Sequence, residues 1–379
     1  MKETATDSSI TRRGTLMLRT MGFVLAVMML TACSSDSDPA GASGGGEGVL
    51  RLVVSTSDLA DITSQIAGDA VTVSSLIEPG KDPHSVDVRP EMARMVRDAD
   101  ALLIVGRGNE AHWLTELIEM ADRHDLSPGQ PNLIDASVAL GDDDADEMGE
   151  GGEEGEDHHG DEDGSEEGGD SHPEGDPHYL LDPVNGLLVA SHITDRLIGV
   201  APDHTDVFMD NFEAFRTSLL RGLVGEWVEQ SIDPDTLTQL LVNDELEAEL
   251  EASSNLDKLG GWLGGIRPHR GTAFIGDHEV WDAFAERFGL VTAGYLEPAP
   301  GMEPTTQHLT QITNLIRSEG VPLILSCSHV PQRHATFLRD NTSAKLLLLA
   351  DQVGEDEDAA EYISMFDHNI GKLIEALGN

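Results

Sequence analysis

The chain has 379 residues, 39% of them hydrophobic, which is enough for two cores of ordinary size. Its 23 Lys and Arg against 70 Asp and Glu give a formal charge of -47, a surface that repels nucleic acid and draws cations. Two cysteines, Cys33 and Cys327, exclude a disulfide-stapled fold.

The first residues read as a secretory segment. Arg12 and Arg13 precede an apolar run, 21–30, of about ten residues, too short for a permanent membrane helix. Leu30-Thr31-Ala32-Cys33 follows, with small residues ahead of the cysteine as in a bacterial lipobox. Residues 1–33 are therefore expected to be a lipoprotein signal peptide, with Cys33 the lipidated residue. Residues 34–48, rich in Ser, Asp and Gly, are a flexible tether. The arginine pair leaves general and twin-arginine export both open. Such an anchor places the protein outside the cytoplasm, at a membrane it does not span.

From 49 onward strands alternate with helices. Strand patterns occupy 49–56, 71–77, 101–105 and 132–134, and helical patterns 58–67, 91–98 and 111–123. This alternation argues for parallel βαβ units and an N-terminal α/β lobe over 49–182. Residues 142–175 interrupt it with Asp, Glu and Gly around His158, His159 and His172; eighteen of the acids fall between Asp142 and Asp176. So few apolar groups cannot offset the entropy of ordering, and a disordered loop collecting cations weakly is expected. It ends in Asp176-Pro177-His178-Tyr179-Leu180-Leu181-Asp182-Pro183, where Asp182 suits an N-cap and Pro183 a first helical position.

Connecting helices are expected over 183–229. In the second of them, from near Asp203, Phe208, Phe212, Phe215, Leu219, Leu223 and Trp227 keep helical spacing for about 25 residues, roughly 37 Å. A helix that long is either a strut between two lobes or a long core helix. Residues 231–267 mix acidic helix formers with two glycine pairs and read as an insertion of uncertain structure. Strands at 272–276, 290–295, 322–327 and 344–350, with helices at 280–288, 306–318, 332–340 and 359–377, then build a C-terminal α/β lobe over 230–379.

In open α/β sheets, ligands bind beyond the carboxyl ends of the strands. His84, His278 and Asp351 follow strands, and His178 closes the acidic loop. Three imidazoles and one carboxylate suit a first-row divalent ion, with nitrogen-rich ligation favouring Zn2+. Cys327 ends a strand too, but reads as a small buried residue. Asp277 and Glu279 flank His278 and compete with it as ligands. His269, His308, His329 and His334 read as surface or packing residues.

These motifs, in this order, resemble the zinc- and manganese-binding receptors of bacterial ABC importers. Gly80-Lys81-Asp82-Pro83-His84 is similar to that family's Gly-x-Asp-Pro-His loop, and Glu110 with Trp113-Leu114 to its Glu-x-x-Trp-Leu helix. Residues 176–183 with Asn185, then His278 to Phe284 with Phe288, follow its next two motifs. Asp351-Gln352-Val353-Gly354 resembles Asp-Pro-Leu-Gly, while Tyr362 and Asn369 fit its terminal helix. Cys327 stands where Glu is common. The resemblance implies two βα lobes with parallel sheets joined by a long helix, and a metal site in the cleft between them. It implies metal ligands His84, His178, His278 and Asp351, an ABC permease as partner, and a monomer that is no enzyme. His at position 278, where manganese receptors tend to carry Glu, favours zinc, as does the acidic loop. The alternatives are a manganese receptor, a secreted zinc hydrolase using Asp277 or Glu279 as base, and an adhesin or metal buffer built on the acidic loop.

Overall fold

The computed structural model describes residues 49–84, 86–141, 175–299 and 301–378. The expected signal peptide, Cys33, the tether, His158, His159 and His172 lie outside the described residues. Two four-stranded, all-parallel sheets carry the fold. The first contains β1 (Leu50–Val54), β2 (Val71–Ser75), β3 (Ala101–Ile104) and β4 (Leu133–Asp135), in the order β2-β1-β3-β4. The second contains β5 (Ala273–Gly276), β6 (Val291–Tyr295), β7 (Leu323–Cys327) and β8 (Lys345–Leu349), in the order β6-β5-β7-β8. The two lobes thus repeat one topology.

Helices α1 (Ser57–Ala67), α2 (Pro90–Arg97) and α3 (Leu114–Ala121) belong to the first sheet. Next come α4 (Pro183–Val200), α5 (Thr205–Val224), α6 (Glu226–Ser231), α7 (Pro234–Val242), α8 (Leu246–Ala252) and α9 (Gly261–Ile266). The second sheet carries α10 (Asp282–Phe288), α11 (Thr306–Glu319), α12 (Arg333–Asn341) and α13 (Tyr362–Leu377).

Strand alternation sends successive side chains to opposite faces. Leu52, Val54 and Leu103 join Phe274, Leu323 and Leu325 in one central core with α1, α4, α5, α9 and α13. Val53 and Leu102 face a second core under α2 and α3, and Ile275 and Ile324 a third under α11 and α12. Helix α4 starts as its sequence dictates, with Pro183 in the first turn and Asp182 accepting from the Val184 N–H at 2.8 Å.

The long amphipathic stripe is shorter than its spacing suggests. Gly225 adopts φ 81°, the helix breaks there, and Trp227 lies exposed on α6. Helix α5 touches α1 of the first lobe as well as α9 and α13, so it contacts both lobes. Residues 231–267 are helical, with Leu237, Leu241, Leu246 and Leu250 buried. Their glycines serve close packing: a Cβ at Gly261 would come within 2.2 Å of the Gly222 carbonyl oxygen, and one at Gly265 within 2.7 Å of Ile374.

Carboxylates from α1 and the start of α4 reach across to the other lobe. Asp58 accepts from Val353 N–H (2.9 Å) and Asp61 from Tyr362 N–H (2.8 Å). Asp182 forms a nearly buried pair with Arg287 of α10 at 2.8 Å. Burial pushes the Asp58 carboxyl up to about 7, with Asp351 and Asp61 adding to the rise. Between about pH 4 and 7 the folded chain therefore holds a proton there that the unfolded chain does not, and stability falls as pH rises through that window. Asp58→Asn keeps the acceptor for Val353 and removes the titration. Its stability relative to wild type, from denaturant unfolding, should climb by up to the order of 4 kcal/mol between pH 4 and 7 and level off above. A difference independent of pH would refute the assignment.

Candidate metal centre

A cavity of about 1110 Å³ opens between the lobes, and His84, His178, His278 and Asp351 all line it. His84 and His178 form one wall. Their Nε2 atoms face each other at 3.1 Å although 94 residues separate them. The His84 loop is tied in three ways. Its own N–H donates to Asp82 (2.8 Å), and Trp113 Nε1 donates to the Pro83 carbonyl (2.8 Å). From the far lobe, Gln352 accepts from Gly80 N–H (3.0 Å) and donates to the Lys81 carbonyl (3.1 Å).

Trp113 is itself anchored by the turn before α3. That helix starts at Leu114 rather than near 111, because buried Glu110 turns back to accept from the N–H groups of Val105 (2.8 Å) and Gly106 (3.1 Å). His178 sits at the mouth of a short 3₁₀ turn, Tyr179–Leu181. Asp176 accepts from its N–H at 2.7 Å and lies 3.3 Å from its Nδ1. Tyr179, fully buried, donates from its hydroxyl to the Val105 carbonyl at 2.7 Å, fixing the turn to the end of β3.

The opposite wall is acidic. His278 follows β5, and its Nδ1 bonds to Asp277 Oδ1 at 3.0 Å, which leaves Nε2 as the ring's remaining ligating atom. Both oxygens of Asp277 are engaged within the protein. Oδ1 also accepts from His278 N–H, and Oδ2 accepts from Ser326 Oγ (2.9 Å) and Cys327 N–H (2.7 Å). It orients the imidazole, as carboxylates behind metal-bound histidines do. Burial opposes a charge on His278, but Asp277 and Asp351 outweigh it and raise its pKa. Cys327 is fully buried, as expected of a packing residue, and burial pushes its thiol far up. Glu279 lines the same cavity.

His329 is a correction: it is neither a surface nor a packing residue. Its Nδ1 lies 3.4 Å from Asp351 Oδ1 and 3.0 Å from Glu355 Oε1, and its ring centre is 6.5 Å from that of His278. Glu355 also accepts from the N–H groups of His329 (2.8 Å) and Asp351 (3.2 Å). Burial works against ionisation of Asp351, but His329 outweighs it and holds the carboxyl well below the usual range. The two carboxylates in turn outweigh burial at His329 and push it up to about 10. The clue was available, since His329 follows β7 by two residues. Gln352 gave no such clue, because its partners are 271 and 272 residues away.

His84 and His178 are brought together on one side, and His278 and Asp351 line the other. Among the described residues the tight donor clusters here are Asp277 with His278 and Cys327, and His329 with Asp351 and Glu355.

The family profile ZnuA, zinc-uptake complex component A, periplasmic, matches residues 52–243 and 244–376. The chain is 24% identical over 358 residues to a manganese-binding lipoprotein, MntA, of Halalkalibacterium halodurans, covering 94% of this chain and 97% of that protein. It is 25% identical over 353 residues to a zinc-binding lipoprotein, AdcA, of Streptococcus pneumoniae, covering 92% of this chain and 58% of that protein. A crystal structure of ZnuA superposes with a TM-score of 0.58 at 21% identity, over 87% of this chain and 99% of that one. A cadmium-bound periplasmic metal-binding protein from Candidatus Liberibacter asiaticus gives 0.58 at 20%, over 86% and 99%. The two structural matches establish a shared fold.

Gln352→Ala leaves the Gly80 N–H and the Lys81 carbonyl without their partner, at a cost of about 1–3 kcal/mol. Amide hydrogen exchange should quicken at Gly80 and His84 while the Val353 amide stays protected. Equal protection of the 80–84 loop in the variant would show that the cross-cleft amide does not hold it.

Proposed function

The chain belongs to the family of periplasmic zinc-uptake components, and from that premise we propose that it is an extracytoplasmic receptor that captures Zn2+ and hands it to an ABC permease. The observation that carries this reading is the pair of Nε2 atoms of His84 and His178, 3.1 Å apart in the cleft. Two nitrogens on one tetrahedral zinc, each at about 2.0–2.1 Å, lie roughly 3.3 Å apart, so the pair is already spaced for an ion between them. His278 Nε2, oriented by Asp277, and the buried carboxylate of Asp351 are the third and fourth ligands.

The zinc is cargo. It exchanges its waters for three imidazoles and one carboxylate, a set that closes its coordination and leaves no position for a substrate, which is the work of a receptor and not of an enzyme. Nitrogen-rich ligation favours zinc over manganese. His329 balances the charge of Asp351 and Glu355 while the ion is away. In this reading residues 49–182 and 230–379 are the two lobes and 183–229 join them. The chain works as a monomer, held by lipid on Cys33 to the outer face of the cell membrane. His158, His159 and His172 collect ions weakly without forming the tight site.

Elemental analysis after equilibration with equimolar Zn2+ and Mn2+ tests the choice of metal. One tightly held zinc per chain is expected, with manganese excluded by at least about 100-fold. His84→Ala and His278→Ala should each weaken zinc by a similar factor, while deletion of 142–174 should leave the tight site in place. Unchanged tight binding in both alanine variants would remove these residues from the site.

A further inference from the structure

The acidic wall of the cleft carries more donors than one ion uses. His329 follows β7, and Asp351 and Glu355 follow β8, the strand paired with it. The three side chains each present a ligand atom, all within 4.8 Å of one another. Those of Asp351 and Glu355 are only 6% and 4% exposed. His329 and Asp351 line the cleft cavity, which gives an ion access. The loop that carries His84 covers the group: a Cβ at Gly80 would stand 3.5 Å from His329 Cβ and 3.9 Å from Glu355 Cγ.

The group is short of a cation. His329 Nδ1 has one proton to share, and its hydrogen bond runs to Glu355 Oε1 at 3.0 Å. Asp351 Oδ1 lies 3.4 Å from the same nitrogen, is buried, and makes no hydrogen bond. A buried carboxylate oxygen left so is costly unless a cation answers it. Two ionised carboxylates against one imidazole are also net negative whichever form the ring takes. The spacing fits an ion. Nδ1 stands 3.4 and 3.0 Å from the two carboxylate oxygens, and two donors on one tetrahedral ion, bound at about 2.0–2.2 Å, lie roughly 3.3–3.5 Å apart.

We propose that His329, Asp351 and Glu355 form a second divalent-cation site on the acidic wall, adjoining the first and sharing Asp351 with it. One imidazole and two carboxylates, completed by water, suit a borderline first-row ion such as Zn2+. The inference rests on the receptor reading in one respect, that Asp351 also holds the cleft ion. Oδ1 faces the second site, and Oδ2 is left for the first. Two dications on one carboxylate repel each other, so the second site is the weaker and fills after the first. A zinc held there stands ready to reload the cleft once its cargo has left.

Zinc is the probe, on the full-length protein. Wild type, Glu355→Gln, His329→Gln and His84→Ala are dialysed against rising free Zn2+, and bound metal is counted by elemental analysis. The acidic loop is the same in all four, so its weak sites cancel in the differences. Glu355→Gln keeps an acceptor for the His329 and Asp351 N–H groups and removes only the charge. Glu355→Gln and His329→Gln should each bind one zinc fewer than wild type and keep the tight equivalent, whereas His84→Ala should lose the tight one and keep the other. Wild-type crystals soaked in excess zinc should show a second, weaker anomalous peak within about 2.0–2.2 Å of His329 Nδ1 and of Asp351 and Glu355 oxygens. Loss of one equivalent in Glu355→Gln with none lost in His84→Ala would support this site and overturn the ligands assigned to the first. Equal stoichiometry in wild type, Glu355→Gln and His329→Gln, or no second peak at His329, overturns the proposal.

Discussion

The cleft depends on side chains of one lobe answering backbone groups of the other. Asp58 and Asp61 of α1 accept from Val353 and Tyr362, and Gln352 bonds twice to the loop carrying His84. These bonds join segments nearly 300 residues apart. They set the distance between walls on which no single element carries all four candidate ligands. The Asp182–Arg287 pair fastens the stretch just after His178 to the second lobe in the same way. A buried pair like this is strongly disruptive to break on one side, because the remaining charge has no partner.

The two walls differ in chemistry. The first offers paired imidazoles, and the second offers carboxylates with histidines set among them. An arriving dication meets carboxylates on one side and paired imidazole nitrogens on the other. The chain's net charge of -47 extends the attraction outward, which favours encounter with cations over anions. Inside the cleft, Asp277 and Trp113 hold two of the candidate ligands in place. They fix the ring of His278 and the backbone beside His84, so less ordering remains for binding to impose.

Strands and their ends were readable because parallel strands are near-continuous apolar runs and ligands gather at their carboxyl ends. That logic located His84, His278 and Asp351, and the Asp-Pro-His run located His178. It passed over His329 for want of a motif, although the same position rule applied. Gln352 and Glu355 were invisible because their roles exist only across the assembled cleft. The stripe that ran on to Trp227 overrode the stop signal of Gly225. The glycine pairs at 260–261 and 264–265 looked like irregularity. They permit backbone-close packing, which periodicity does not encode.

The most direct test is a crystal structure of the zinc-loaded protein, with the ion located by anomalous scattering at the zinc edge. One strong peak is expected in the cleft, within about 2.0–2.2 Å of Nε2 of His84, His178 and His278 and of a carboxylate oxygen of Asp351. A cleft without zinc, or zinc held there without His84 and His178, would contradict the account.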